Sequence, residues 1–231
     1  MRPIRARRKV FAMPSARSPL AGRTVVITSG PTREHLDDIR FLSNASTGRM
    51  GHELARLAAR RGARVVLVQG PCALPDLKGV ETVPITSTAD LLAATTTHAK
   101  AADVVIFAAA PSDFRPRRRR KGKPGREATK AMTLDLVSTP DVAARVGRGK
   151  GDRVHVGFAL EVGGGEERAR GKLKRKRLDA IVLNGPANFG GGGGEAHWLP
   201  KGADAEPLPT ATKARLAKAI LDRVERLLAG G

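Results

Sequence analysis

The sequence predicts an α/β protein: a Rossmann-like, doubly wound, mainly parallel sheet with helices on both faces. Three observations predict it. Short β-branched runs alternate with helical patterns from residue 23 onward, the rhythm of strands joined by crossover helices. Those runs are nearly continuous in apolar residues, as expected of parallel strands covered on both faces. The runs at 25–27 and 103–110 lead into small residues, which suit the crevice at the carboxyl ends of strands where open α/β sheets bind ligands.

Residues 1–22 form a basic, Pro- and Ser-containing extension with no acidic residue and no periodicity, a composition that stays disordered. Its longest apolar run is too short for a signal peptide. Residues 23–231 read as one domain. Val25, Val26 and Ile27 make the first strand, and residues 51–61 the first helix, with Leu54, Leu57 and Ala58 on one face and Gly62 closing it. Residues 64–68 and 80–85 are the second and third strands. Ser87 with Asp90 three residues on is a capping-box spacing that opens a helix to about Lys100, and residues 103–110 form the fourth strand.

From 111 to 130 runs a long basic loop, too charged for a core and long enough to be functional or disordered. Residues 132–137 read as a short strand. Thr139, Pro140 and Asp141 open a helix as N-cap, N1 proline and first-turn acid. A strand follows at 154–162, a cationic helix at 166–178 and a strand at 180–183. Residues 190–194 are all glycine, a flexible connector. His197, Trp198 and Leu199 suit an edge strand, and residues 212–228 a helix with Leu216, Ile220, Val224, Leu227 and Leu228 on its packing stripe.

Composition narrows the function. No window approaches the roughly 18 apolar residues of a membrane span. The lone cysteine, Cys72, cannot form an internal disulfide, which points to the cytoplasm; set in a turn, it reads as an incidental thiol. The formal charge is +20, gathered mainly at the N-terminus, at 115–130 and at 168–177. Nucleic acid is one partner for such charge, yet aromatics are 3% with no tyrosine, which leaves little for base stacking. Small polyphosphates use clustered cations equally well.

Chemistry concentrates in three places. Ser46, Gly48 and Gly51 resemble a dinucleotide fingerprint with its first glycine changed, but they lie some 20 residues past the first strand. That spacing disfavours an NAD(P)-dependent reductase and leaves an anion seat at a helix start, assisted by Arg49 or Arg40. Ala108, Ala109 and Ala110 followed by Asp113 offer backbone groups to a base and a carboxylate to a ribose or metal. Lys172 and Lys176, four apart, share one helix face.

Taken together, these motifs resemble the phosphopantothenate–cysteine ligase family, the synthetase half of the bacterial bifunctional coenzyme A biosynthesis flavoprotein. The resemblance rests on Thr32-Arg33-Glu34 with Asp37, Arg40-Phe41-Leu42-Ser43-Asn44, Ser46-x-Gly48-x-Met50-Gly51, Ala108-Ala109-Ala110 with Asp113-Phe114-Arg115, and Lys121-x-Lys123. It continues through Thr139-Pro140-Asp141, Gly157-Phe158-Ala159 and Lys172-Leu173-x-x-Lys176. The resemblance implies activation of 4′-phosphopantothenate by a nucleoside triphosphate, CTP or alternatively ATP, with Mg2+, and aminolysis of the acyl-nucleotidylate by cysteine.

It also implies roles. Asn44 engages the acyl intermediate, Arg40 supports it, and Lys121, or Lys123 if counted forward from Asp113, is the loop lysine. Gly30, Ser46, Gly48, Gly51, Ala109, Ala110, Asp113, Phe158, Lys172 and Lys176 hold nucleotide and phosphates, with no dedicated metal ligands. A homodimer and a separate decarboxylase are expected. Arg49 for lysine, Leu160 and Val162 after Phe158, Asn184-Gly185-Pro186, and the glycine run depart from the family pattern. A nucleic-acid or anion binder on the same fold is the second reading.

Overall fold

The computed structural model describes residues 18–122, 131–161, 165–185, 196–209 and 212–230. Eight strands form one sheet in the order β12-β11-β10-β9-β6-β1-β4-β5. β1 (Thr24–Ser29) pairs in parallel with β4 (Arg64–Gln69) and with β6 (Val104–Phe107). β4 pairs with β5 (Val80–Pro84), β6 with β9 (Val154–Leu160), and β9 with β10 (Ala180–Asn184), again in parallel. β11 (Ala196–Pro200) and β12 (Glu206–Leu208) add antiparallel strands at one edge. Strand order reverses direction at β1 and β6, so the crevice beyond their carboxyl ends is the switch point where such sheets bind ligands.

Both faces are covered, as the unbroken apolar runs require. α1 (Arg49–Arg60) and α5 (Lys213–Ala229) bury Leu54, Ala58, Leu216 and Ile220 against Val25, Ile27, Val156 and Val182. On the opposite face α2 (Thr88–Ala99), α3 (Val142–Gly147) and α4 (Gly165–Arg175) bury Leu91, Val146 and Leu173 against Val26, Val105 and Ile181. Arg61, at the end of α1, bonds Asp222 at 2.6 Å and Glu225 at 2.9 Å on α5. The two helices therefore run side by side in the same direction, and both begin at the crevice.

Local signals set these boundaries with a few differences. Ser87 and Asp90 make the expected capping box of α2. Thr139 does not cap α3; Asp141 does, accepting from the Ala144 amide, so Pro140 precedes the helix. Thr139 Oγ1 donates instead to the Ser112 carbonyl at 2.6 Å, a tertiary bond that local spacing cannot reveal. The strand expected at 132–137 is confined to β8 (Leu136–Ser138), paired with β7 (Phe114–Pro116) inside the segment read as a loop.

A second ribbon joins β2 (Glu34–His35) to β3 (Phe41–Leu42). β11 is not at the edge, because β12 lies outside it. Leu20 is fully buried in the main core and Ser18 bonds Glu225, so the end of the basic segment packs onto α5. The rest of that segment, the glycine run at 190–194, Lys123 and Val162 lie outside the described residues.

His155 is fully buried on β9, edge-on to Phe107 at 5.5 Å, with no hydrogen-bond partner for either ring nitrogen among the described residues. Burial pulls its pKa down from 6.5 to about 4, aided by Lys150 and opposed by Asp179. The folded protein thus holds it neutral while the unfolded chain protonates it near pH 6.5. Its contribution is complete above about pH 6.5 and is lost as pH falls toward 4, on the order of 3 kcal/mol in all. Denaturant melts at pH 7 and pH 5 should show this loss, and His155→Leu should flatten the difference.

Candidate active site

A cleft of about 680 Å³ opens at the carboxyl ends of β1, β6, β9 and β10. Its walls bring together Asn44, Ser46, Gly48, Ala109, Ala110, Asp113, Phe158, Lys172 and Lys176. Nine of the thirteen site residues expected from the sequence therefore meet in one place. Thr139, Asp141, Leu160, Asn184, Lys213 and Leu216 join them. Of these, Lys213 is the residue sequence reading missed, because its helix showed only a packing stripe.

The anion seat is built by backbone geometry. Gly48 is the N-cap of α1 at φ 73°, and no side chain caps that helix and no acid stands in its first turn. The opening N–H groups of α1 are thus left for a ligand. A Cβ on Gly48 would stand 3.1 Å from Cys72 Sγ and 3.4 Å from the Gly30 Cα, so both conformation and space demand glycine. Cys72 sits beneath this turn, and burial raises its pKa, which leaves it an unreactive thiol.

Gly51 and Gly30 serve the seat without lining the cleft. A Cβ at Gly51 would fall 2.6 Å from both Cβ and Oγ of Ser29, so this glycine lets α1 pack onto β1. Ser29 Oγ in turn donates to the Gly48 carbonyl at 2.9 Å. Gly30, at φ 78°, would bring a Cβ to 3.1 Å from the Gly70 carbonyl oxygen, and its own carbonyl accepts from the Ala110 amide at 2.9 Å.

The motif Thr32-Arg33-Glu34 proves to be a buried connector. Glu34 is 5% exposed and accepts from both the amide and the hydroxyl of Thr88, each at 2.8 Å, placing a carboxylate at the positive end of α2. Thr32 Oγ1 lies 3.0 Å from Thr88 Oγ1 and accepts from the Ser112 amide at 3.0 Å. Ser43 Oγ donates to the Thr32 carbonyl at 2.7 Å. Asn44, next along, donates through Nδ2 to Pro111 O at 2.9 Å and Ala110 O at 3.3 Å. The loops after β1 and β6 are thereby stitched together with Asn44 on the cleft side.

The cleft lysines are held by carboxylates. Lys172 bonds Glu161 at 2.5 Å, and Lys176 bonds Asp141 at 3.1 Å. The Lys172 ammonium and the Arg168 guanidinium hold the Glu161 carboxyl below its usual range. Asp113 lines the cleft with no ion pair of its own among the described residues. No group of three or more metal-binding side chains occurs among the described residues.

Arg40 and Lys121 stand elsewhere. Arg40 is clamped by Asp37, 2.7 Å from Nε and 2.6 Å from Nη2, and lines a second hollow with Arg117–Arg120. The amides of Arg40 and Ile39 hold the Asp37 carboxyl down at about 2 against the effect of burial, and the Arg40 guanidinium adds to them. Lys121 is exposed on a segment anchored by Arg119 and the Gly122 amide to Asp38. Neither residue lines the cleft, so direct support of Asn44 by Arg40 is not what this structure shows; the tie runs through Pro111.

Comparison with known proteins agrees with this geometry. Residues 20–228 match the family described as DNA/pantothenate metabolism flavoprotein C-terminal domain. The chain is 39% identical over 219 residues to the Coenzyme A biosynthesis bifunctional protein CoaBC of Bacillus subtilis, covering 91% of this chain and 53% of that protein. It is 36% identical over 225 residues to CoaBC of Mycobacterium tuberculosis strain H37Rv, covering 91% and 54%. The chain thus spans about half the length of these curated relatives.

Among solved structures, the C-terminal domain of CoaBC superposes with TM-score 0.80 at 34% identity, covering 93% of this chain and all of that one. A Cab2 mutant in complex with phosphopantothenate-cysteine shares the fold, with TM-score 0.70 at 18% identity over 90% of this chain and 88% of that one.

The Thr32 hydroxyl links three segments, so Thr32→Val should leave the buried Ser112 amide unpaired. The expected loss is about 1–3 kcal/mol, read by thermal melts, with faster hydrogen exchange at Ser112 as the local signature.

Proposed function

We propose that this chain, which belongs to the DNA/pantothenate metabolism flavoprotein C-terminal domain family, is a phosphopantothenate–cysteine ligase acting in coenzyme A biosynthesis. The observation that carries the reading is the convergence of Asn44, the Gly48 helix start, Asp113, Phe158, Lys172 and Lys176 on one cleft at the switch point of the sheet. Residues 23–231 form the ligase unit, acting in the cytoplasm beside a separate decarboxylase.

Carboxylates do not react with amines until activated. An oxygen of the phosphopantothenate carboxylate attacks the α-phosphorus of CTP and pyrophosphate leaves, giving an acyl-cytidylate. The cysteine amine then attacks the acyl carbon, a proton is lost, and CMP departs with the oxygen that came from the carboxylate. Much of the work is positioning and electrostatic stabilisation. The start of α1, with Ser46, cradles phosphate oxygens, and Lys172 and Lys176 exchange part of their carboxylate pairing for polyphosphate. Asn44 supplies an amide donor to the developing oxyanion, its longer bond to Ala110 being the one a substrate oxygen replaces.

Magnesium fits as a companion of the nucleotide, because Mg2+ in triphosphate sites takes few protein carboxylates; Asp113 is the cleft carboxylate available to it. The ion would neutralise charge on the leaving pyrophosphate.

A homodimer belongs to this reading. Ile39, Phe41, Phe114 and Leu136 expose apolar surface on the two ribbons, as interfaces do, and Lys121 of one protomer would then serve the cleft of its partner. A nucleic-acid role finds no favouring observation in the site.

The test is pyrophosphate release on mixing CTP, Mg2+, phosphopantothenate and cysteine, with ATP in parallel. Release dependent on phosphopantothenate is expected, and Asn44→Asp, which puts an acceptor where a donor is needed, should lower it about 100-fold or more with little change in nucleotide affinity. No release with any nucleotide would refute the ligase reading.

A further inference from the structure

At the corner of the cleft formed by β9, β10 and α5, Asn184 ends β10, opposite Leu160 in register. Side chains alternate along a strand, so Asn184 shares the face of Val182, which packs with Leu216 and Ile220 of α5. Lys213 on the first turn of α5 and Leu160, 47% exposed, line the cleft with it. The Asn184 Oδ1 atom is buried and has no hydrogen-bond partner among the described residues. A buried acceptor left unpaired costs about 1–3 kcal/mol, and its position in a ligand cleft says that a ligand satisfies it.

We propose that Asn184, with Lys213 beside it and Leu160 as an apolar wall, reads the nucleotide base and selects one carrying an exocyclic amine next to a ring-nitrogen acceptor. The inference rests on the ligase reading for its ligand, a nucleoside triphosphate. Cytosine offers its N4 amine to Asn184 Oδ1 and its N3 acceptor to the Lys213 ammonium; adenine offers the same pair through N6 and N1. Uracil and guanine present the reverse, an oxo group beside an N–H, which would face acceptor with acceptor.

Leu160 supplies a flat apolar surface at the point where Phe158 continues the same strand face. Lys213 suits a donor role. It sits at the positive end of α5, a poor place for a full cation, and burial lowers its pKa. The residues after Phe158 and at Asn184-Gly185-Pro186, which depart from the family pattern, thus acquire a function in base choice, whereas the phosphates are served by α1 and by Lys172 and Lys176.

The experiment measures CTP and UTP dissociation constants by calorimetry with Mg2+, alongside pyrophosphate release, for the wild type, Asn184→Ala and Lys213→Met, each checked for folding by thermal melt. The wild type should bind CTP about tenfold or more tighter than UTP, since sites that hydrogen-bond a group reject analogues lacking it. Each variant should bring that ratio close to unity, mainly by weakening CTP. A wild type indifferent to the base would overturn the proposal, as would a folded variant of either kind that keeps the full ratio. If the ratio behaves as expected while no pyrophosphate is released, base reading stands and the ligase assignment fails.

Discussion

Buried polar bonds at the carboxyl ends of β1 and β6 are the constraint on which the rest of the site depends. Thr32, Glu34, Thr88 and Ser112 pair only with one another and with nearby backbone, in a place where unpaired groups would be costly. Ser29 holds the Gly48 turn to the same strand, and Thr28 Oγ1 accepts from the Ala109 amide at 3.1 Å. These contacts fix the start of α1, the alanine loop after β6 and the start of α2 relative to each other. A seat for phosphate and a donor for the acyl oxygen can then be held in one geometry without help from the ligand.

The charge of the chain takes on a different meaning in this setting. Its +20 total suggested a surface for long polyanions, yet within the cleft Lys172 and Lys176 are matched by Glu161 and Asp141. Pairing lets cations stay ordered where solvent is scarce, and an arriving polyphosphate competes with carboxylates and not with water alone. The arginines of 117–120 gather instead around the hollow beside Arg40, away from the reacting groups. Asp37 keeps Arg40 fixed there, so that residue shapes the ribbon more directly than it touches the cleft.

Much of this was legible in the sequence because local chemistry dictated it. The apolar runs fixed the parallel strands, the capping box fixed the start of α2, and glycine spacing marked the turn before α1. What stayed hidden depended on contacts distant in sequence. Thr139 looked like a helix cap until Ser112 claimed its hydroxyl. The ribbon of β7 and β8 was invisible because residues 114–116 carry no apolar alternation. Lys213 read as a surface residue on a core-packing helix, and only the parallel run of α1 and α5, set by Arg61, brings it to the cleft. Gly51 looked like a phosphate contact by spacing, whereas its lack of a Cβ serves Ser29.

The central claim, that this cleft activates a carboxylate by transfer of a nucleotidyl group, is tested most directly by following the carboxylate oxygen. With phosphopantothenate carrying 18O in its carboxyl group, CTP, Mg2+ and cysteine, mass spectrometry should find one 18O atom in each CMP formed. CMP without the label, or CDP and inorganic phosphate in place of CMP and pyrophosphate, would contradict the account.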